Sequence, residues 1–177
     1  YHIRTVSRNL AAGADCIVCN LEKDKIPESI MNSIDTVIHL AGFSHDMRDA
    51  SKIENLYYKV NVDATVQLAE LAVKSGVKRF VFVSSVKAGG SPPPEVCANE
   101  NDQKNTEDVY GITKREAELK LLEIGKNLGI HVAIIRPSLV YGPDTRGNLQ
   151  LMLSGIKKGW FPPQPETGNR RLRQLLS

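Results

Sequence analysis

Apolar positions follow two alternating rhythms along this chain. Short, nearly continuous runs, several rich in β-branched residues, occupy His2–Ser7, Asp15–Cys19, Thr36–Leu40, Arg79–Ser84 and His131–Arg136. Runs of that kind predict strands covered on both faces, as in a parallel sheet. Between the third and fourth, Leu56, Val60, Ala64, Leu68 and Leu71 recur at helical spacing. They predict a helix from about Ile53 to Lys74, with Gly76 just past its end as a stop. A second helix is predicted over about Val109 to Asn127, ended near Gly129, and a short one within "LQLMLSGIKKG". "KAGGSPPPEVCANENDQKN" and "RPSLVYGPDTRGN" read as loops, and "WFPPQPETGNRRLRQLLS" as an irregular basic tail. Strands alternating with helices predict an α/β fold with five parallel strands in a doubly wound sheet. Ligands of such sheets bind at the carboxyl ends of the strands.

Composition narrows the function classes. The chain has 177 residues, enough for one domain with a core, and is 41% apolar and 24% charged, the balance of an ordinary soluble globular protein. A net charge of +3 lacks the concentrated basic stripe of a nucleic-acid binder. No apolar run reaches membrane-spanning length, so neither nucleic acid nor membrane is an expected partner. The start, "YHIRTVSRNL", has neither a methionine nor a signal-peptide pattern and reads as the interior of a longer gene. Three cysteines, Cys16, Cys19 and Cys97, without framework spacing suit a reducing, cytoplasmic setting. Cys16 and Cys19 spell C-x-x-C inside a predicted strand, with no second pair to complete a metal site. Buried strand cysteines, rather than a redox or zinc pair, are the expectation, and no metal is expected.

The chemistry-bearing residues fall at predicted strand ends. In "VIHLAGFSH", Ala41 and Gly42 let backbone approach a ligand closely, though a plain turn would look the same. "FVFVSSVKAGG" puts Ser84 and Ser85 at the fourth strand's end, as ligand hydroxyls or as turn formers. In "EDVYGITKREAE", Tyr110 and Lys114 stand four apart and share a helix face. A phenol near pKa 10 is too weakly acidic to serve as a base at neutral pH, and an adjacent ammonium would lower that value. Alone, the pair is an ordinary helix-surface pair; after a serine-ended strand in an α/β pattern it points to proton transfer.

With these residues in view, the chain resembles the extended short-chain dehydrogenase/reductase superfamily, most closely its nucleotide-sugar epimerase/dehydratase branch. The matching stretches are "DTVIHLAG", "NVDATVQLAELAVKSGVKRFVFVSS", "VYGITKREAE" and "IIRPSLVYGP", from about residue 35 to 143. The resemblance implies a Rossmann-like fold and NAD(P)-dependent epimerase or dehydratase activity on a UDP-sugar-like nucleotide sugar, in cell-surface polysaccharide metabolism. It implies Ser85, 25 residues before Tyr110, as the catalytic serine, with Tyr110 as base, Lys114 lowering the tyrosine pKa, and Asn61 helping to place the lysine. Asn20 and Leu21 match positions that contact adenine. Leu40, Ala41 and Gly42 match a cofactor-lining turn, Pro137 the segment packing on the nicotinamide, and Ser84 is expected beside the cofactor. It further implies a homodimer through the helices at 53–74 and 109–127. A reductase of the same superfamily acting on a ketone or steroid-like substrate, and a non-catalytic dinucleotide-binding module, are the alternatives.

The family pattern is met in part. Its opening strand and Gly-rich turn hold the pyrophosphate through backbone amides, whereas Gly13 is the one glycine in this chain's first 41 residues. After "PETGNR" the chain reads "RLRQLLS" rather than the family's continuation. The sequence therefore reads as a middle piece, with a partial NAD(P)-binding domain over 1–147 and the start of a substrate-binding region over 148–177. In isolation it is expected to bind dinucleotide poorly. Where an acidic residue would hold the ribose of NAD, "VSRN" offers Ser7 and Arg8, better suited to a 2′-phosphate, so the expectation leans to NADP. Arg8 as a solvated loop cation is the other reading.

Overall fold

The computed structural model describes residues 2–10, 15–44, 50–93, 96–100, 106, 108–138, 140, 142 and 148–160. The chain divides into two units, Tyr1–Ser91 with Ala98–Pro137, and Pro92–Cys97 with Ser138–Ser177.

All five predicted strands form in the first unit, each shorter than its apolar run: β1 (Thr5–Ser7), β2 (Cys16–Val18), β3 (Thr36–His39), β4 (Arg79–Val83) and β5 (His131–Ile135). Every pairing is parallel, but among the described residues the strands make two sheets, β1–β2 and β3–β4–β5. The five strands expected in one sheet are thus divided among the described residues. Arg4, at the foot of β1, ties that sheet down: its Nε bonds Asp15 at 2.9 Å and its Nη1 donates to Ser29, Ile30 and Asn32 carbonyls. Those carbonyls belong to a 3-10 turn at Glu28–Met31 and its cap, which sequence periodicity did not reveal because it is one turn long.

The three-stranded sheet is covered on one face. In register, His39 pairs with Phe82 and Val37 with Phe80, which sets Phe80 and Phe82 beneath the helices, both fully buried. On the opposite face Ile38 is 62% and Ile135 51% exposed. The prediction of strands covered on both faces is therefore corrected: among the described residues the helices pack on one side.

The first predicted helix is three segments in continuous array: α1 (Ala50–Tyr58), a π-helical turn (Lys59–Asp63) and α2 (Ala64–Lys74). α3 (Val109–Leu128) begins where predicted, capped by Asp108, whose Oδ1 accepts from Gly111 N at 2.8 Å. Leu68, Ala69 and Ala72 of α2 and Ala117 and Leu121 of α3 meet Phe80 and Phe82 in the core. The alanines let both helices lie close to the sheet, and each buried Phe contributes about 1.5–3 kcal/mol. The second unit contains α4 (Asn148–Lys157), with Leu151 and Trp160 exposed. Among the described residues no helix is long and apolar enough to cross a membrane.

Candidate active site

The polypeptide leaves β4 through Ser84 and Ser85 into a 3-10 turn, Val86–Gly89. The β4–β5 ladder continues past the strand ends, with Ser84 N donating to Ile135 O at 2.7 Å and Val86 N to Pro137 O at 3.2 Å. Ser85 lies between those two anchored amides, and its Oγ accepts from Lys87 N at 3.3 Å. α3 starts directly against this turn. A Cβ on Gly111 would stand 2.8 Å from Lys87 O, so only glycine permits that approach. The close approach sets Tyr110, half-buried, beside Ser85, whose hydroxyl acts to lower the phenol's pKa against the larger, raising effect of burial. Lys87 bridges the same elements, with Nζ 3.1 Å from Asp108 and 5.9 Å from the Tyr110 ring centre.

One turn along α3, Lys114 is 2% exposed. Its Nζ donates to Val83 O at 3.0 Å and lies 4.5 Å over the Phe82 ring. Burial lowers its pKa to about 8, against the supporting charge of Glu118. The sequence-based expectation that Lys114 lowers the tyrosine pKa needs correction in this structure. Tyr110 is raised instead, first by burial and then by Asp108 and Tyr57, with the Ser85 hydroxyl opposing. The reason is burial, the largest influence on the phenol, while the Lys114 ammonium bonds Val83 O.

Asn61 is 1% exposed inside the π-helical turn. Its Oδ1 accepts from Phe43 N at 2.6 Å, and its Nδ2 donates to Phe43 O and to Thr113 Oγ1, both at 3.1 Å. It thus staples the segment after β3 to α3. A Cβ on Gly42 would lie 3.1 Å from Lys114 Nζ and 3.3 Å from Asn61 Oδ1. Gly42, Asn61 and Lys114 are therefore neighbours.

Other expected residues are spread more widely. Arg8 is exposed after β1, and Asn20 and Leu21 form the turn after β2, where Asn20 Oδ1 accepts from Glu22 N at 3.0 Å. Leu21, Lys59, Asp63 and Gln67 line an open polar groove of about 230 Å³, which includes none of Ser85, Tyr110 and Lys114. Pro137 is half-buried at the β5 exit. Ser84 faces the helices beside Phe82, 4% exposed, and among the described residues its Oγ is the one buried side-chain oxygen or nitrogen with no partner. Cys19 is buried with its thiol pKa raised, an unreactive setting. Four buried polar residues escaped the sequence reading: His39 and Thr65, bonded Nε2 to Oγ1 at 2.9 Å, Thr113, and Glu118, paired with Arg115 and Arg136. Glu118 left a signal, an acidic residue on the stripe that also carries Thr113, Lys114, Ala117 and Leu121.

A family model described as the NAD dependent epimerase/dehydratase family matches residues 2–164. The chain belongs to that family. UDP-glucose 4-epimerase of Vibrio cholerae is 39% identical over 125 residues, covering 70% of this chain and 38% of that protein. MoeE5, solved in complex with UDP-glucuronic acid and NAD, superposes with a TM-score of 0.74 at 27% identity, over 85% of this chain and 51% of that one. The UDP-glucuronic acid 4-epimerase of Bacillus cereus, solved with NAD, shares the fold, with a TM-score of 0.70 at 23% identity over 81% of this chain and 46% of that one. The chain thus spans about two fifths to half the length of these relatives. Both solved relatives hold NAD, which lends no support to a preference for NADP.

The residues present fit a dinucleotide of the family's kind. Leu40, Ala41 and Gly42 are exposed and present a small-residue surface after β3. Beside it, Lys114 uses one of its three N–H donors on Val83 O, leaving donors for ribose hydroxyls.

Proposed function

We propose that the protein carrying this chain is an NAD(P)-dependent nucleotide-sugar epimerase or dehydratase in which Tyr110 moves the proton. The observation that carries this reading is the close packing of the start of α3 on the turn after β4, which sets Tyr110 beside Ser85 with the buried Lys114 ammonium one turn along the helix. Arg8, Asn20, Leu21, Leu40, Ala41, Gly42, Ser84, Lys114 and Pro137 would hold the dinucleotide, with 1–147 as its domain and 148–177 opening the substrate-binding region. When bound, the nicotinamide supplies a hydride acceptor and a positively charged ring.

The chain's own residues do the rest. Ser85 Oγ holds the substrate oxygen and the phenol oxygen together, which confines the proton to one path. Tyr110 takes the proton from that sugar hydroxyl, and returns it when the carbonyl is reduced. Burial raises the pKa of the phenol, and positive charge brought to the site would oppose that rise. Lys114 is held by Val83 O on the inner side of α3, available to ribose hydroxyls. Asn61 fixes the 41–43 segment and, through Thr113, the helix carrying both reacting groups. The substrate class, a UDP-sugar, is that bound by MoeE5 and acted on by the Vibrio cholerae relative. The cofactor is NAD or NADP, with Arg8 the residue placed to favour the latter. We assign a cytoplasmic location, to which three cysteines without the spacing of a disulfide framework are suited, and a role in sugar supply for cell-surface polysaccharide.

In the protein expressed from its whole gene, Tyr110→Phe should abolish interconversion of UDP-sugar epimers, a loss of about 10²-fold or more, while dinucleotide affinity changes little. Chromatographic assay of the sugar products, with NADH and NADPH titrations alongside, checks both halves. Near-normal turnover in the Phe variant would make Tyr110 a packing residue.

A further inference from the structure

Glu118 is 1% exposed on the inward stripe of α3, and the reading above gives it no part. A buried carboxylate is costly unless it is paired and hydrogen-bonded. This one is held from two sides. Arg136 grips it bidentately, Nε to Oε1 at 2.8 Å and Nη2 to Oε2 at 2.5 Å, and Arg115 Nη1 reaches Oε2 at 3.2 Å. A bidentate guanidinium–carboxylate pair fixes orientation as well as distance.

The position of Arg136 gives that grip a consequence. It follows β5 directly, and the residues on either side of it, Ile135 and Pro137, supply the carbonyls that anchor Ser84 N and Val86 N. Ser85 is the residue between those amides. Glu118 therefore binds, through a single arginine, the backbone that carries Ser85 to the helix that carries Tyr110 and Lys114. It also stands one helical turn after Lys114, and both side chains are buried. Lys114 is faced by His39 from β3, by Phe82 and Val83 O from β4, by the Gly42 and Asn61 neighbourhood, and on its own helix by Tyr110 and Glu118. Of these His39 is neutral above about pH 4, and Glu118 supplies the negative charge.

We propose that Glu118 is a positioning residue: through Arg136 it locks the Ser84–Val86 turn onto α3, and it serves as the buried counter-charge of Lys114. The proposal rests on the assignment of Ser85, Tyr110 and Lys114 as the reacting group.

The test uses the protein from its whole gene, with Glu118→Gln, Arg136→Met and the double variant, each verified as folded by circular dichroism. Carbon-13 NMR of labelled lysine reads Lys114, which titrates near pH 8 in the parent. Glu118→Gln should lower that midpoint by about one pH unit, whereas Arg136→Met, which removes a cation and leaves Glu118 on Arg115, should raise it. A purely structural role has no reason to move the two in opposite directions. Amide exchange at Ser84 and Val86 should rise about tenfold or more in both single variants. Where Glu118→Gln fails to fold, the double variant, which removes both members of the bidentate pair, takes its place. Its Lys114 midpoint must lie below that of Arg136→Met. Equal Lys114 midpoints in the folded variants, or unchanged exchange at Ser84 and Val86, would overturn the proposal. Neither readout needs turnover, so a fully active Tyr110→Phe variant would remove the proton-transfer reading and leave this one to be judged by NMR.

Discussion

His39 ends β3 with its ring stacked 5.7 Å from Phe82 and its Nε2 on Thr65, and burial lowers its pKa from 6.5 to about 4. Because the folded value lies below the unfolded one, the unfolded chain takes up the proton first as pH falls. Stability is therefore intact above pH 6.5 and lost between 6.5 and about 4. At about 1.4 kcal/mol per pH unit, the loss is about 3 kcal/mol. Urea unfolding at pH 7 and pH 4.5 should show it, with a smaller acid loss in His39→Gln; identical acid dependence in the two proteins would mean that His39 does not carry the effect. Lys114 poses the opposite trade. Its ammonium is buried with a pKa lowered from 10.5 to about 8, so the folded state bears the cost of the charge at every pH below 8, and relief comes only as pH rises from about 8 to 10.5. Lys114→Met should raise thermal stability at pH 7, by up to about 3 kcal/mol before loss of the Val83 hydrogen bond, while turnover disappears. Calorimetry that shows a lower melting temperature would mean that the cation stabilises the fold. Tyr110 and Lys114 stood out in sequence because they are four apart on one helix, whereas Ser85, 25 residues earlier, was marked by the family resemblance. The direction of the Tyr110 shift was not legible there, since it depends on how far the fold buries the phenol.

At the scale of elements, the π-helical turn decides most. An apolar spacing tolerant of both three and four residues hides one extra residue, so periodicity reads 53–74 as a single α-helix. That turn carries Asn61, whose three hydrogen bonds satisfy the backbone of Phe43 and reach Thr113. Asn61→Ala should cost about 2–3 kcal/mol, because both Phe43 backbone groups lose their partner, and should free the 41–43 segment. Denaturant titration measures the first effect and hydrogen exchange at Phe43 the second. A cost below about 0.5 kcal/mol would mean that the staple is replaceable. The sequence marked Asn61 only through family resemblance, because its partners lie 18 and 52 residues away.

At the scale of the whole molecule, α3 turns Leu119 and Leu122 outward, 51% and 49% exposed. We propose that these outward leucines, with the helix pair at 53–74, form the homodimer surface. The protein from its whole gene should scatter light as a dimer at micromolar concentration, and Leu119→Asp with Leu122→Asp should make it monomeric. A parent protein that is already monomeric would end the proposal. The open face of the three-stranded sheet bears Ile38 and Ile135, and Leu40 just beyond β3 is 72% exposed. Strand pattern alone could not show this face open, because a continuous apolar run predicts burial without saying which neighbour provides it.

Sequence by itself determined the strands, the two long helical stretches, the parallel α/β class and the placing of Tyr110 and Lys114 on one helix face. These rest on short-range facts: apolar period, capping, and residues four apart on one helix. Tertiary structure alone decided the separation into two sheets, the single covered face, the partners of Asn61, and the burial that sets His39 near pKa 4 and Lys114 near 8. It alone joined Glu118 to Arg136, 18 residues on. Desolvation and pairing of charge depend on what the fold brings together across long separations, and no local pattern encodes that.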